Sequence, residues 1–119
     1  MSSNEKLSLF KPSVGKRGMT ELHYAAYCGD KNEMTRQLDA GSDPDAKDDY
    51  RGYAAIHWLA DMAATGGPRV QMLRLLAARN ANLQLQANNG ETALSLAIAA
   101  GSVTGEQLAA ELVSLGAQQ

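Results

Sequence analysis

A glycine opens three similar stretches of this chain: GMTELHYAAYCG from Gly18, GYAAIHWLADMA from Gly52 and GETALSLAIAAG from Gly90, spaced 34 and 38 residues apart. A period of that length restricts the fold more than any other feature. A unit of some thirty-five residues cannot bury its own apolar face, so it must stack on its neighbours into a continuous core. Each stretch has an apolar residue four places after the glycine, at Leu22, Ile56 and Leu94. Small or apolar pairs follow at Ala25–Ala26, Leu59–Ala60 and Ala97–Ile98. Spacings of three and four place these residues on one face of a short helix.

A second apolar run follows each first helix: NEMTRQL with Met34 and Leu38, VQMLRLLAA with Val70, Leu73, Leu76 and Ala77, and EQLAAELVSL with Leu108, Leu112, Val113 and Leu115. Exits rich in turn formers come next, AGSDPDAKDDYRG and RNANLQLQANNG, and the third unit closes on GAQQ. The unit is therefore turn, helix, short loop, helix, long loop. DMAATGGPR and GSVTGE put extra residues between the helices of the second and third units, and Pro68 is placed to start an outer helix. Aromatics at only 5% and abundant Ala, Leu and Gly suit helices packed through small side chains and disfavour a β-sandwich.

The stretches TELHYA (20–25), AAIHWL (54–59) and TALSLA (92–97) resemble the ankyrin repeat, whose signature is T-P-L-H-x-A. The resemblance covers residues 18–119 and implies an all-α solenoid of three helix-turn-helix units, 18–51, 52–89 and 90–119, behind a leader at 1–17. Glu21, Ala55 and Ala93 replace the family's proline. Thr20 and Thr92 remain able to cap their helices, and Glu21 suits a positive helix end. Ala54 cannot cap, so the second unit is expected to have the weakest first-helix start. The last helix turns Glu106, Gln107, Ala110, Glu111 and Ser114 to solvent and reads as a C-terminal cap. The front end has no full capping unit; Leu7, Leu9 and Phe10 are expected to cover it, with residues 1–5 disordered.

At 119 residues the chain is one domain. Its N-terminus lacks a signal-peptide apolar core, no stretch reaches membrane-spanning length, and a single Cys gives no internal disulfide framework, so a cytoplasmic protein is expected. A net charge of −2 gives no general attraction to nucleic acid or membrane. Blocks do occur, with four Lys/Arg in residues 1–17 and five Asp in 39–49, and both read as solvated surface.

His23 and Cys28 raise the question of nucleophilic chemistry, which needs the two side chains within hydrogen-bond reach. Five residues apart on one helix, they point about 140° from each other. The resemblance instead implies that His23 and His57 bind loop backbone and tie units together. No set of His and Cys has the paired spacing of a zinc site, and ATGGP lacks the lysine of a phosphate loop. His57 and Asp61, four apart, suit a helix-surface hydrogen bond better than metal ligation. No catalytic residue, metal or cofactor is assigned.

In the family resembled here, partners are held at hairpin tips and on the exposed side of the first helix. Carried onto this chain, those positions are Lys16, Arg17, Met19, Tyr27 and Cys28, then Tyr50, Arg51, Tyr53, Asp61 and Met62, then Asn88, Asn89, Glu91, Ala99 and Ala100. The Tyr and Arg residues concentrate in the first two units, and these types dominate interface energies. Trp58 either lines the groove or fills a gap between units. The expected binding set is therefore Lys16, Arg17, Met19, Tyr27, Tyr50, Arg51, Tyr53, Trp58, Asp61 and Met62. The expected function is a monomeric, non-enzymatic module that binds another protein, with no nucleic acid or membrane partner. Family analogy adds an inhibitor or immunity-protein role. The alternative is a structural or self-assembling protein that buries the apolar ends of its stack.

Overall fold

The computed structural model describes residues 18–117, and the leader residues Lys16, Arg17, Leu7, Leu9 and Phe10, with the expectations attached to them, lie outside that range. The repeat glycines stand in left-handed backbone, with φ +70° at both Gly18 and Gly52 and +85° at Gly90. Two of these turns also leave no room for a side chain. A Cβ on Gly18 would lie 2.9 Å from Asp49, and one on Gly52 only 2.2 Å from the Asn88 carboxamide. Successive loop tips are thus stacked against one another at positions where only glycine fits.

The described residues form six α-helices in three pairs: α1 (Glu21–Cys28) and α2 (Lys31–Asp39), α3 (Ala55–Asp61) and α4 (Arg69–Ala78), α5 (Ala93–Ala100) and α6 (Val103–Ser114). Helices α1, α3 and α5 pack side by side as an inner row, and α2, α4 and α6 form the outer row behind them. One continuous core runs between the rows, built from Leu22, Met34, Leu38, Ile56, Leu59, Met72, Leu73, Leu76, Leu94, Leu108 and Leu112. The described residues contain no strand. This is the three-unit, all-α solenoid expected from the sequence.

The inner helices begin as their sequences dictate. Thr20 Oγ1 accepts the His23 amide (3.2 Å) while His23 Nδ1 accepts the Thr20 amide (2.9 Å), a reciprocal cap. Thr92 and Ser95 repeat the exchange in the third unit. Ala54 supplies no side-chain acceptor, and only the histidine half survives there, with the Ala54 amide donating to His57 Nδ1 (3.0 Å).

One expectation about the loops is corrected. GSVTGE does not form a longer loop: Ser102 caps the Gly105 amide (3.0 Å), so α6 starts at Val103 and the extra residues lengthen the helix. Gly105 makes that possible, because a Cβ there would lie 2.7 Å from the Ala97 carbonyl of α5. At the front of the described stack, unit 1 presents a polar surface of its own. Gln37 Nε2 donates to Glu21 (2.9 Å) and to Glu33 (2.8 Å), forming a polar layer. The positions matching Glu21 are Ala55 and Ala93, both buried where the preceding unit lies on them. At the rear, Glu106, Gln107, Ala110 and Ser114 are exposed as expected and Glu111 is half-buried. Ile98, however, is 50% exposed where its counterparts Ala26 and Ala60 are buried.

Candidate functional site

The histidines are the first residues to place. Since Nδ1 of each ring accepts a backbone amide, Nε2 carries the proton. His23 Nε2 donates to the Ala46 carbonyl (2.7 Å), and His57 Nε2 to the Leu85 carbonyl (2.8 Å). Each ring thereby fastens the start of its own helix to the long loop that leads to the next unit. Burial pulls the His57 pKa below its ordinary value, outweighing the opposing Leu85 hydrogen bond. The expected His57–Asp61 bond does not form, because His57 turns inward and Asp61 faces Arg51. Neither histidine meets Cys28, which is exposed at the end of α1.

The tip between units 1 and 2 is organised by a residue the sequence reading passed over. Asp48 is buried, and its Oδ1 accepts the amides of Tyr50 (3.2 Å), Arg51 (3.0 Å) and Tyr53 (3.1 Å), while Oδ2 accepts the Trp58 indole (2.8 Å). Burial works to raise its pKa, but these donors prevail and hold the carboxyl below the usual aspartate range. Its place in a run of five Asp concealed it, since such runs are normally solvated.

Aromatic rings extend from that tip. Tyr53 stacks on the His57 ring (5.3 Å between centroids) and meets Trp58 edge-on (5.0 Å), and Trp58 meets Tyr27 edge-on (5.6 Å). Such pairs contribute roughly 0.5–1.5 kcal/mol each beyond the area they bury. Three members of the expected binding set are therefore inside. Met19, Tyr53 and Trp58 are buried, and the even choice between groove and core for Trp58 falls to the core. Met19 and Tyr53 each follow a left-handed glycine and turn inward onto the stack. Tyr50 and Arg51 are exposed, and Tyr27, Asp61 and Met62 half-buried. Arg51 lies over the Tyr50 ring (4.9 Å) and the Tyr53 ring (5.6 Å), with Nη1 3.5 Å from Asp61. Tyr53 thus underlies Arg51, and Trp58 backs Tyr27.

Arg69 was not singled out from the sequence, yet it joins the first two units. It is 1% exposed, and all five of its N–H donors are used. Nε donates to the Gly66 carbonyl (2.7 Å); Nη1 to the carbonyls of Ala26 (2.9 Å) and Leu59 (3.0 Å); Nη2 to the Tyr27 carbonyl (3.2 Å) and Thr65 Oγ1 (2.9 Å). Ala26 and Tyr27 end α1, and Leu59 lies in the last turn of α3. These carbonyls lie in the last turns of their helices, where Ala26 also accepts the Gly29 amide (3.3 Å), and carry the negative end of the helix dipole. A buried cation is thus neutralised without a carboxylate. The loop inserted in unit 2, with its 3₁₀ turn at Ala63–Thr65, supplies the remaining acceptors. One signal was present in the sequence: an arginine opening a helix stands at the wrong end of its own dipole.

Unit 3 provides a contrast on the same face. Asn88, Asn89, Glu91, Ala99 and Ala100 occupy the corresponding positions, with no aromatic ring and no cation. Among the described residues no group of three His, Cys, Asp or Glu is placed to hold a metal ion, and no helix is long and apolar enough to cross a membrane.

Stacked helix pairs and histidine ties to the next loop define a helical repeat protein. A family model described as Ankyrin repeats (3 copies) matches residues 22–118, and the chain belongs to the ankyrin-repeat family. Ankyrin repeats are generally modules for protein–protein interaction. No curated protein matches the chain.

Proposed function

We propose that this protein binds another protein through the face built at the junction of units 1 and 2, with Tyr27, Tyr50, Arg51, Asp61 and Met62 as its contact residues. The observation that supports this reading is the fixed, outward placement of Tyr50 and Arg51 over a buried aromatic row, beside a third unit with nothing comparable. A rigid face loses little side-chain freedom on binding, and exposed Tyr and Arg are the residues that most often anchor interfaces. The module acts without catalysis, as a cytoplasmic inhibitor or immunity protein that covers a working surface of its partner. Nucleic acid and membranes are not its targets.

The test uses whatever protein co-purifies with the chain from its native cell. Replacing Tyr27, Tyr50 and Arg51 together with Ala is expected to weaken that complex at least tenfold while helical circular dichroism stays intact. Unchanged affinity would reject the face. Co-expression with the co-purified protein addresses inhibition: the partner's activity should fall, and an unaffected partner would reject that role.

A second reading, self-assembly, draws on Ile98, Val113 and Leu115, which stand exposed on unit 3. Light scattering across a concentration range separates the two, since the binding module remains a monomer throughout.

A further inference from the structure

Four arginines of units 1 and 2 reach described partners on other elements, and their guanidinium groups are engaged differently; Arg79 meets Asp39 through Nη2 alone. Arg69 is saturated by backbone carbonyls and Thr65. Arg74 is held in the two-pronged carboxylate geometry, with Nε and Nη2 at 2.9 and 3.1 Å from the two oxygens of Glu111. Arg51 has no such partner. One oxygen of Asp61 approaches only Nη1, at 3.5 Å, and the Tyr50 hydroxyl stands 3.5 Å from Nη2. Both contacts are at the outer limit of a hydrogen bond.

The rest of Arg51 is firmly placed. Its amide donates to Asp48 Oδ1 (3.0 Å) and its carbonyl accepts the Asn88 amide (2.9 Å), so both sides of its backbone are tied. Its side chain lies across two tyrosine rings with roughly half its surface open to solvent. A planar fork held in place on aromatic rings, with the hydroxyls of Tyr50 and Tyr53 and one stretched carboxylate contact at its edge, suits a planar carboxylate presented from outside. We propose that Arg51 receives an Asp or Glu side chain of the partner, which displaces Asp61, while Tyr50 covers an apolar residue beside that carboxylate. Phosphate fits less well: Asp61 is adjacent, and a dianion meets more repulsion there than a single carboxylate does.

This inference rests on the reading of the face as the partner surface, and the test separates the two. Amide and arginine side-chain NMR signals are followed while the intact protein is titrated with blocked peptides Ac-Leu-Glu-Leu-Tyr-NH2, its Gln version and its Lys version. The expected result is shifts at Tyr50, Arg51 and Asp61 with the Glu peptide, and binding at least tenfold weaker with Gln. Arg51→Ala should abolish those shifts, and Arg51→Lys should weaken binding severalfold because the fork is lost. Asp61→Asn should tighten the Glu peptide, because it removes the competing carboxylate. Equal binding of the Glu and Gln peptides at these residues would overturn the carboxylate inference and leave the face in place. Binding of the Lys peptide that Asp61→Asn destroys would also overturn it, showing an acidic site for a cation. Shifts confined to other residues, or none at millimolar peptide, would overturn both readings.

Discussion

The two junctions of this three-unit stack are built differently. Between units 1 and 2 the contacts are directional: Arg69 clamps the ends of α1 and α3, Trp58 meets Tyr27, and Arg79 pairs with Asp39. Between units 2 and 3 the inner helices meet through small and aliphatic side chains, Ala60, Ala93, Leu94 and Ala97. Arg74–Glu111 adds a solvent-exposed pair on the outer row. Both junctions share the histidine tie to the long loop. Small residues let helices approach closely but leave little to present at the surface. The first junction adds large aromatic side chains to its buried alanines, and Tyr53 among them lies beneath the exposed Arg51. What holds the first pair of units together also supports its proposed binding face.

The strongest way to break that contrast is at Arg69. Arg69→Met removes the donors from three helix-end carbonyls and is expected to cost about 3–4 kcal/mol in urea denaturation, the scale for dismantling a buried charge network. Arg74→Met, at the exposed pair, should leave the midpoint nearly unchanged, since surface pairs contribute little. Equal losses would mean that the two junctions are not different in kind.

Gly105→Ala attacks close packing instead. The new methyl group would meet the Ala97 carbonyl at 2.7 Å, and overpacking of that sort costs roughly 1–3 kcal/mol. The loss should appear as faster amide exchange in α5 and α6, with α1 and α2 unaffected. Smaller again is the cap. Thr20→Ala should cost about 1 kcal/mol, and leave unit 1 with the half-cap that unit 2 already has at Ala54.

The smallest effect is a pH dependence at the second junction. His57 has a lowered pKa in the folded protein, so between the folded and unfolded values the unfolded chain binds more protons. Its contribution is complete above the unfolded value near 6.5 and is lost as pH falls toward the folded one. From pH 7 to 6 the loss is no more than about 0.7 kcal/mol for one histidine. Replacing His57 with Gln should flatten that part of the stability profile. Asp48 acts in a lower window, below the ordinary aspartate range, where protonation would release the Tyr53 amide and the Trp58 indole.

Most of this architecture was legible in the sequence because it repeats. Glycines, capping threonines and histidines recur in phase, and each acts within a few residues of itself or on the next loop. The proposed binding face was legible only in part. Tyr50 and Arg51 stand outside as expected, but Met19, Tyr53 and Trp58 occupy equivalent-looking positions and turn inward. Periodicity assigns a residue to an element, and the neighbouring unit decides which of its sides is covered. Arg69 and Asp48 were missed for a related reason. Arg69 bonds carbonyls 42 and 43 residues away, and Asp48 an indole ten residues on, distances that local pattern does not report.

The central claim, that the binding face belongs to the first junction and not the second, is tested most directly by amide hydrogen exchange of the protein alone and with its co-purified partner. The account predicts slowed exchange at residues 48–53 and at the C-terminal turns of α1 and α3, with residues 86–91 and α5 unchanged. Slowing confined to unit 3 would contradict it.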